Sequence, residues 1–288
     1  MALIDRHRAP LVLLAAGLGS RSGGVKPVAP VGPPGEPLIV MAVRQAAEAG
    51  FDEIVVVVGQ ATEAEVAAAL ASAHPAVRIS FARQVVPEHR RRPWGTVDAV
   101  LAAVDSLGSQ FVEFDEFDGL VVANGDDLYG AVAMVAARRW IASAGDAVGA
   151  AVRFEVAKTM SSVGGVSRAV PVVHDGRLVA LEEHRDVHVD SGTILTGTGQ
   201  LLPPETPVSM NLWCLRPSAV EALRVLHACF IEEHAGEPDA EFGLPSGVDE
   251  LVHDGRSFDV LITDSRWHGV TWPDDVARDR AALIGGLV

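Results

Sequence analysis

Two short stretches of this chain hold the residue types that phosphate and metal chemistry require. From Leu14 to Pro27 the sequence reads Leu-Ala-Ala-Gly-Leu-Gly-Ser-Arg-Ser-Gly-Gly-Val-Lys-Pro, a glycine-rich run carrying two cations, Arg21 and Lys26. Glycines let backbone N–H groups approach a polyphosphate, so Ala15, Ala16, Gly17 and Gly19 are candidate backbone contacts. Arg21 and Lys26 are candidates to offset phosphate charge, which matters most as a pyrophosphate departs. The second stretch is Asn124-Gly125-Asp126-Asp127, which follows an apolar run. Hard carboxylate oxygens at a strand end suit a Mg²⁺ ion that keeps waters and bridges phosphates, with Asp126 the first candidate ligand and Asp127 the second. An Asp-Asp pair after a strand also suits a helix N-cap, which leaves Asp127 open between two roles.

Other glycine-rich loops fit less well. A P-loop needs Gly-Lys-Ser/Thr opening a helix, whereas Lys26 is followed by Pro27. The dinucleotide fingerprint starts at Gly17-x-Gly19 but meets Ser22 where its third glycine belongs, and the second strand ends in Val58-Gly59-Gln60 with no ribose-binding acid. No Gly-x-Ser-x-Gly elbow occurs, which removes the usual pointer to an α/β-hydrolase. His184, His188 and Asp190 have no cysteine to join them and are not read as a zinc site.

The elements that must position these residues are legible in the apolar pattern. Pro10 to Leu14 reads as a buried strand, Pro37 to Gly50 as a helix with Pro near its start and Gly at its end, and Glu53 to Val58 as a β-branched strand covered on both faces. Helices over Thr62 to Ala73 and Thr96 to Leu107 alternate with strands over Val77 to Phe81 and Gly119 to Ala123. Such alternation predicts a doubly wound parallel sheet, whose ligands lie beyond the carboxyl ends of the strands. From Ala147 the pattern becomes antiparallel: strands over Val148 to Phe154 and Gly165 to Val173, a turn at Asp175-Gly176, and strands over Leu178 to Glu182 and Val208 to Leu215. Helices are expected over Pro217 to His234 and Asp274 to Ile284.

Composition narrows the class of partner. A formal net charge of −15 argues against a general nucleic-acid or anionic-membrane binder, so an anionic ligand needs a local basic site. Two cysteines, Cys214 and Cys229, cannot make a disulfide framework; Met1 to Arg8 lacks the apolar stretch of a signal peptide, and no apolar run is long enough to span a bilayer. The expected address is the cytoplasm.

Taken together, the Leu14 to Pro27 run, Gln84 with Pro93-Trp94-Gly95-Thr96, and Asn124 to Gly130 resemble the signature segments of the sugar-phosphate nucleotidyltransferases. Gly164-Gly165-Val166, Leu181-Glu182-Glu183-His184, Ser209-Met210-Asn211-Leu212-Trp213, Glu241 to Pro245 and Trp267 to Asp275 extend the resemblance over most of the chain, toward one bacterial subgroup. The resemblance implies one domain over 1–288, with a nucleotide-binding half (1–146) and an antiparallel acceptor-binding insertion (147–288) on a doubly wound, mostly parallel α/β sheet. It implies Mg²⁺ on Asp126, and a nucleotide held by the first loop, by Gly125 and by Gln84, Gly95 and Thr96 at the base. Trp94 reads as packing rather than stacking because of its large apolar area. Gly165, Glu183 and Asn211 would face the sugar.

Two positions depart from that pattern. Thr271 stands where many relatives carry a second metal-binding aspartate, and His184 stands where a lysine holds the acceptor phosphate. Arg185 is expected to take over that contact, because a guanidinium stays charged where an imidazole is mostly neutral; on a regular strand this needs an end or a bulge at His184. The reaction so implied joins the nucleoside monophosphate of an NTP to a sugar or cyclitol phosphate and releases pyrophosphate. An NDP-sugar-dependent glycosyltransferase and a nucleotide-sensing protein without turnover are the rivals, and a homo-oligomer is compatible with all three.

Overall fold

The computed structural model describes residues 8–17, 25–33, 35–71, 77–108, 117–161 and 164–269. Gly19, Arg21, Thr271 and the helix expected at Asp274 to Ile284 lie outside the described residues.

The first half follows the predicted alternation: β1 (Leu11–Leu14), α1 (Leu38–Glu48), β2 (Glu53–Val58), α2 (Glu63–Leu70), β3 (Arg78–Arg83), α3 (Thr96–Ser106) and β4 (Leu120–Asn124). The strands pair in parallel in the order β3-β2-β1-β4. Side chains of β1, β2 and β4 alternate between two apolar layers. Leu13, Val56 and Ala123 pack toward α1, α2 and α4 (Ala131–Ile141, following β5, Asp127–Leu128), while Val12, Val55 and Val122 pack toward α3 on the other face. Burial on both faces is why these strands are unbroken apolar runs.

The second half contains β6 (Gly149–Glu155), the hairpin β7 (Val166–His174) and β8 (Arg177–Asp190), β9 (Thr193–Leu195), β10 (Pro207–Leu215), α5 (Pro217–Glu233), α6 (Leu244–His253), β11 (Phe258–Ile262) and β12 (His268–Gly269). β10 runs antiparallel between β4 and β6 and so continues the first sheet. Beyond it β6 pairs with β11, β11 touches β8 at Asp259↔Arg177, and β7 returns to β10 at Ser209↔Ala169, closing a ring. No helix among the described residues is long and apolar enough to cross a membrane.

Helices α4 and α6 and strand β11 extend the predicted set, and β8 runs well past the expected Glu182. A helical signal was present in α6, where Leu244, Val248 and Leu251 recur at helical spacing behind Pro245. The length of β8 was not readable, because most of its outer residues face solvent and carry no apolar alternation.

Candidate active site

β1 and β4 are neighbours in register, Leu14 beside Asn124, so the loops that follow them leave the same edge of the sheet. Two cavities open there, one of about 680 Å³ and one of about 270 Å³. Asn124 and Asp126 line both. The small cavity is walled by Ala15, Ala16, Gly17, Gln84, Gly95 and Thr96, among others, and the large one by residues of β7, β8, β10 and α6 together with Lys26 and Asp127.

At the junction the two aspartates differ. Asp126 is half-buried at the meeting of the cavities, where burial raises its pKa and the Lys26 ammonium opposes the rise. Asp127 is buried in β5, which pairs with β12, and its carboxylate accepts from Asn124 Nδ2 at 2.8 Å and lies 3.2 Å from the Tyr129 hydroxyl. Burial first, and then the charge of Asp126, push the Asp127 carboxyl up to about 8. The N-cap of α4 is Gly130, with no side-chain cap, so Asp127 does not cap that helix. Among the described residues no three His, Cys, Asp or Glu side chains cluster as a metal cage. Two hard carboxylates beside open space for phosphates match the way Mg²⁺ is usually bound. Gly125 lines neither cavity: its N–H donates to Leu14 O at 2.8 Å, and a Cβ there would come within 3.2 Å of Ala15.

The wall around Gln84 is held from a distance. Gly95 has φ +104, and a Cβ on it would sit 2.4 Å from Phe242 O, so only glycine fits. Phe242 N donates to Trp94 O at 2.8 Å, Val97 N to Phe242 O at 3.2 Å, and Leu244 N to Thr96 Oγ1 at 2.7 Å. Residues 241–245 thereby become a strap between the cavities, with Glu241 on the small one and Gly243 and Pro245 on the large one. Trp94 packs in the interior, edge-on to Phe230 and beneath the Arg90 guanidinium.

The large cavity gathers only some of the expected acceptor residues. Glu183 and Asn211 line it. Asn211 sits at φ +63 where β10 bulges between Ser209 and Trp213; its Nδ2 donates to Asn124 Oδ1 at 2.7 Å and its Oδ1 accepts from Trp213 Nε1 at 2.9 Å. Most of its amide is therefore engaged, on one side by Asn124 and on the other by Trp213. Gly165 lies against the Asp186 carboxylate instead. His184 and Arg185 face a separate recess with Thr196, Gly197 and Thr198, which meets the large cavity only at Glu183. The bulge required for Arg185 exists, between His184 and Val187 with Asp186 at φ +49, yet it leaves the Arg185 side chain in solvent, 3.7 Å from Glu183. Arg168, Asp249 and Glu250 line the large cavity and were not anticipated; Trp267, the first residue of the Trp267 to Asp275 segment, lines it too. Arg168 alternates with Ser167 and Ala169 on a strand that reads only as an apolar hairpin, and Asp249 and Glu250 belong to the unread α6.

A parallel sheet between helical layers, continued by an antiparallel ring and carrying a paired-carboxylate turn at its strand ends, defines an α/β protein with the nucleotide-diphospho-sugar transferase-like fold. Residues 11–189 match the MobA-like NTP transferase domain, and the chain belongs to that family; its reaction class is nucleotidyl transfer. Similar solved structures include HddC from Yersinia pseudotuberculosis, at 16% identity and TM-score 0.60 over 95% of this chain and 99% of that one. HddC complexed with GMP-PN gives 15% and 0.60 over the same shares. A putative glucose-1-phosphate thymidylyltransferase from Bacillus anthracis, in complex with a sucrose, gives 14% and 0.64 over 96% of this chain and 94% of that one. No curated protein gives a significant match.

Proposed function

We propose that this protein transfers the nucleoside monophosphate of an NTP to a phosphorylated sugar or sugar-like acceptor and releases pyrophosphate. The observation that carries the reading is the shared wall: Asp126 and Asn124 border both cavities, so a nucleotide in the small one and an acceptor in the large one would meet at a carboxylate. In the reaction an acceptor phosphate oxygen forms a bond to the α-phosphorus while the bond from that phosphorus to the bridging oxygen of pyrophosphate breaks. Positioning and charge compensation supply most of the catalysis, and no protein nucleophile is required. Asp126, with Asp127 behind it, would hold a Mg²⁺ ion, which supplies charge neutralisation on the phosphates. Lys26, beside Asp126, would meet the phosphates, and Arg21 is proposed for the same task. Ala15, Ala16 and Gly17 border the phosphate end of the small cavity, and Gln84, Gly95 and Thr96 the base end. Glu183 and Asn211 are proposed for the acceptor, and His184 and Arg185 would reach only an acceptor long enough to pass Glu183. The same reading places the protein in NDP-sugar biosynthesis in the cytoplasm.

The family match favours this reaction over glycosyl transfer or nucleotide sensing. A pyrophosphate-release screen of the full chain with Mg²⁺, five NTPs and a library of sugar and cyclitol phosphates tests it. Release that depends on both substrates is the expected result. Cleavage of an NDP-sugar, or binding with no release, would replace the reading by one of its rivals.

A further inference from the structure

The small cavity carries an unusual set of polar groups at the end away from Gly17. Gln84 Nε2 donates to Gly95 O at 2.8 Å and to Asp98 Oδ2 at 2.8 Å. Both partners can only accept, so the amide has one orientation and both of its hydrogens are engaged. The group left to offer a ligand is Oε1, an acceptor. Two other polar side chains at this end keep an open group: the Thr96 hydroxyl, whose oxygen accepts from Leu244 N and whose proton can still donate, and the Glu241 carboxylate, an acceptor. The near cation of Glu241 is Arg92, 3.6 Å away in a solvent-exposed pair, which holds the carboxylate only weakly. Glu241 would repel phosphates, which the proposed reading puts at the Gly17 and Asp126 end, so on that reading it would face the base.

From this pair of acceptors we infer that the nucleotide is a guanosine phosphate, with Gln84 Oε1 reading the ring N1–H and Glu241 the exocyclic N2 amino group. The inference rests on the proposed assignment of the small cavity to the NTP. Guanine alone among the common bases presents a ring N–H and an adjacent amino group as neighbouring donors. Uracil and thymine place carbonyl oxygens on both sides of their one N–H, which would face the Glu241 carboxylate lone pair to lone pair. Adenine and cytosine set their amino group beside a ring nitrogen that can only accept. Asp98 and Gly95 O act as positioning groups here, because they hold the Gln84 amide with its oxygen outward.

Calorimetric titration of the full chain in Mg²⁺ with GTP, ITP, UTP, CTP and ATP tests the inference, since ITP is guanosine triphosphate without the N2 amino group. GTP should bind tightest and ITP about tenfold more weakly, the effect of one lost polar contact of roughly 1.4 kcal/mol. In Glu241→Ala the GTP to ITP ratio should collapse to within about twofold, with ITP affinity near that of the wild type. Equal binding of GTP and ITP by the wild type, preference for another base, no nucleotide binding, or an equal loss of all five nucleotides in Glu241→Ala would overturn it. Selective GTP binding without pyrophosphate release from any acceptor would remove the proposed reaction and leave this inference standing. Release from UTP or CTP but not GTP would do the reverse.

Discussion

The two cavities that meet at Asp126 are built of different material. The small one is walled largely by backbone and short side chains, Ala15, Ala16 and Gly17 just past the buried strand β1 and Gly95 at the start of α3. The large one is walled by long polar side chains, Arg168, Glu183, Asp249 and Glu250, on elements that keep one face in solvent. Backbone geometry is set by the sheet and suits what all nucleoside triphosphates share. Side chains on half-exposed strands can change without moving the sheet, so on the proposed reading the choice of acceptor would reside there.

The largest effects should come from the junction, where the contrast vanishes. Asp126→Asn should lower turnover by about 10²- to 10³-fold while the melting temperature stays near that of the wild type, as measured by pyrophosphate release and thermal unfolding. Normal activity with normal Mg²⁺ dependence would sink the assignment. Lys26→Ala should cost about 10- to 100-fold in kcat and much less in acceptor KM, because its charge is needed most as pyrophosphate leaves. A loss confined to acceptor KM would move Lys26 to the other side of the junction.

A matched pair of substitutions sharpens the contrast between the two walls. Gly95→Ala adds a Cβ against Phe242 at φ +104 and should cost about 1–3 kcal/mol of stability and raise the KM for the NTP more than for the acceptor. Asn211→Gly keeps the positive φ but removes the amide that bridges Asn124 and Trp213, and should raise acceptor KM by about 3- to 10-fold at a stability cost of about 1–2 kcal/mol. If both variants shift the same KM, the cavities do not divide the substrates.

The smallest effect is a pH slope. The Asp127 carboxyl, raised by burial and then by Asp126 to about 8 from an ordinary value of 3.8, holds a proton in the folded state that the unfolded chain has lost. Without a divalent cation the folded state binds more protons between those values, so this group's contribution to stability is full at the acid end and falls away as pH rises toward 8. In EDTA the melting temperature of the wild type should drop more steeply from pH 5 to 8 than that of Asp127→Asn. A steeper drop in the variant would show that Asp127 is not the group responsible.

The layout of the first half and the carboxylate turn were legible in the apolar pattern of the chain. Strands buried on both faces must be apolar runs, so β1, β2 and β4 declared themselves, and a glycine-rich loop and two aspartates at neighbouring strand ends had to meet at one edge. Gly95-Thr96 at a helix start was legible for the same local reason. Which polar atoms are already engaged depends on long-range packing. Asn211 reads as an acceptor ligand, yet its partner Asn124 is 87 positions away, and that bond together with the one from Trp213 turns most of its amide into scaffold. Gln84 reads as a base contact, but only Gly95 O and Asp98 settle which end of its amide is offered. Glu241, Asp249 and Glu250 reach the cavities because the Phe242 strap is bonded to Trp94 and Val97, and His184 and Arg185 line a separate recess where β8 bulges between His184 and Val187. Hydrogen-bond partnership and side-chain facing are consequences of long-range contacts, and periodicity along the chain does not contain them.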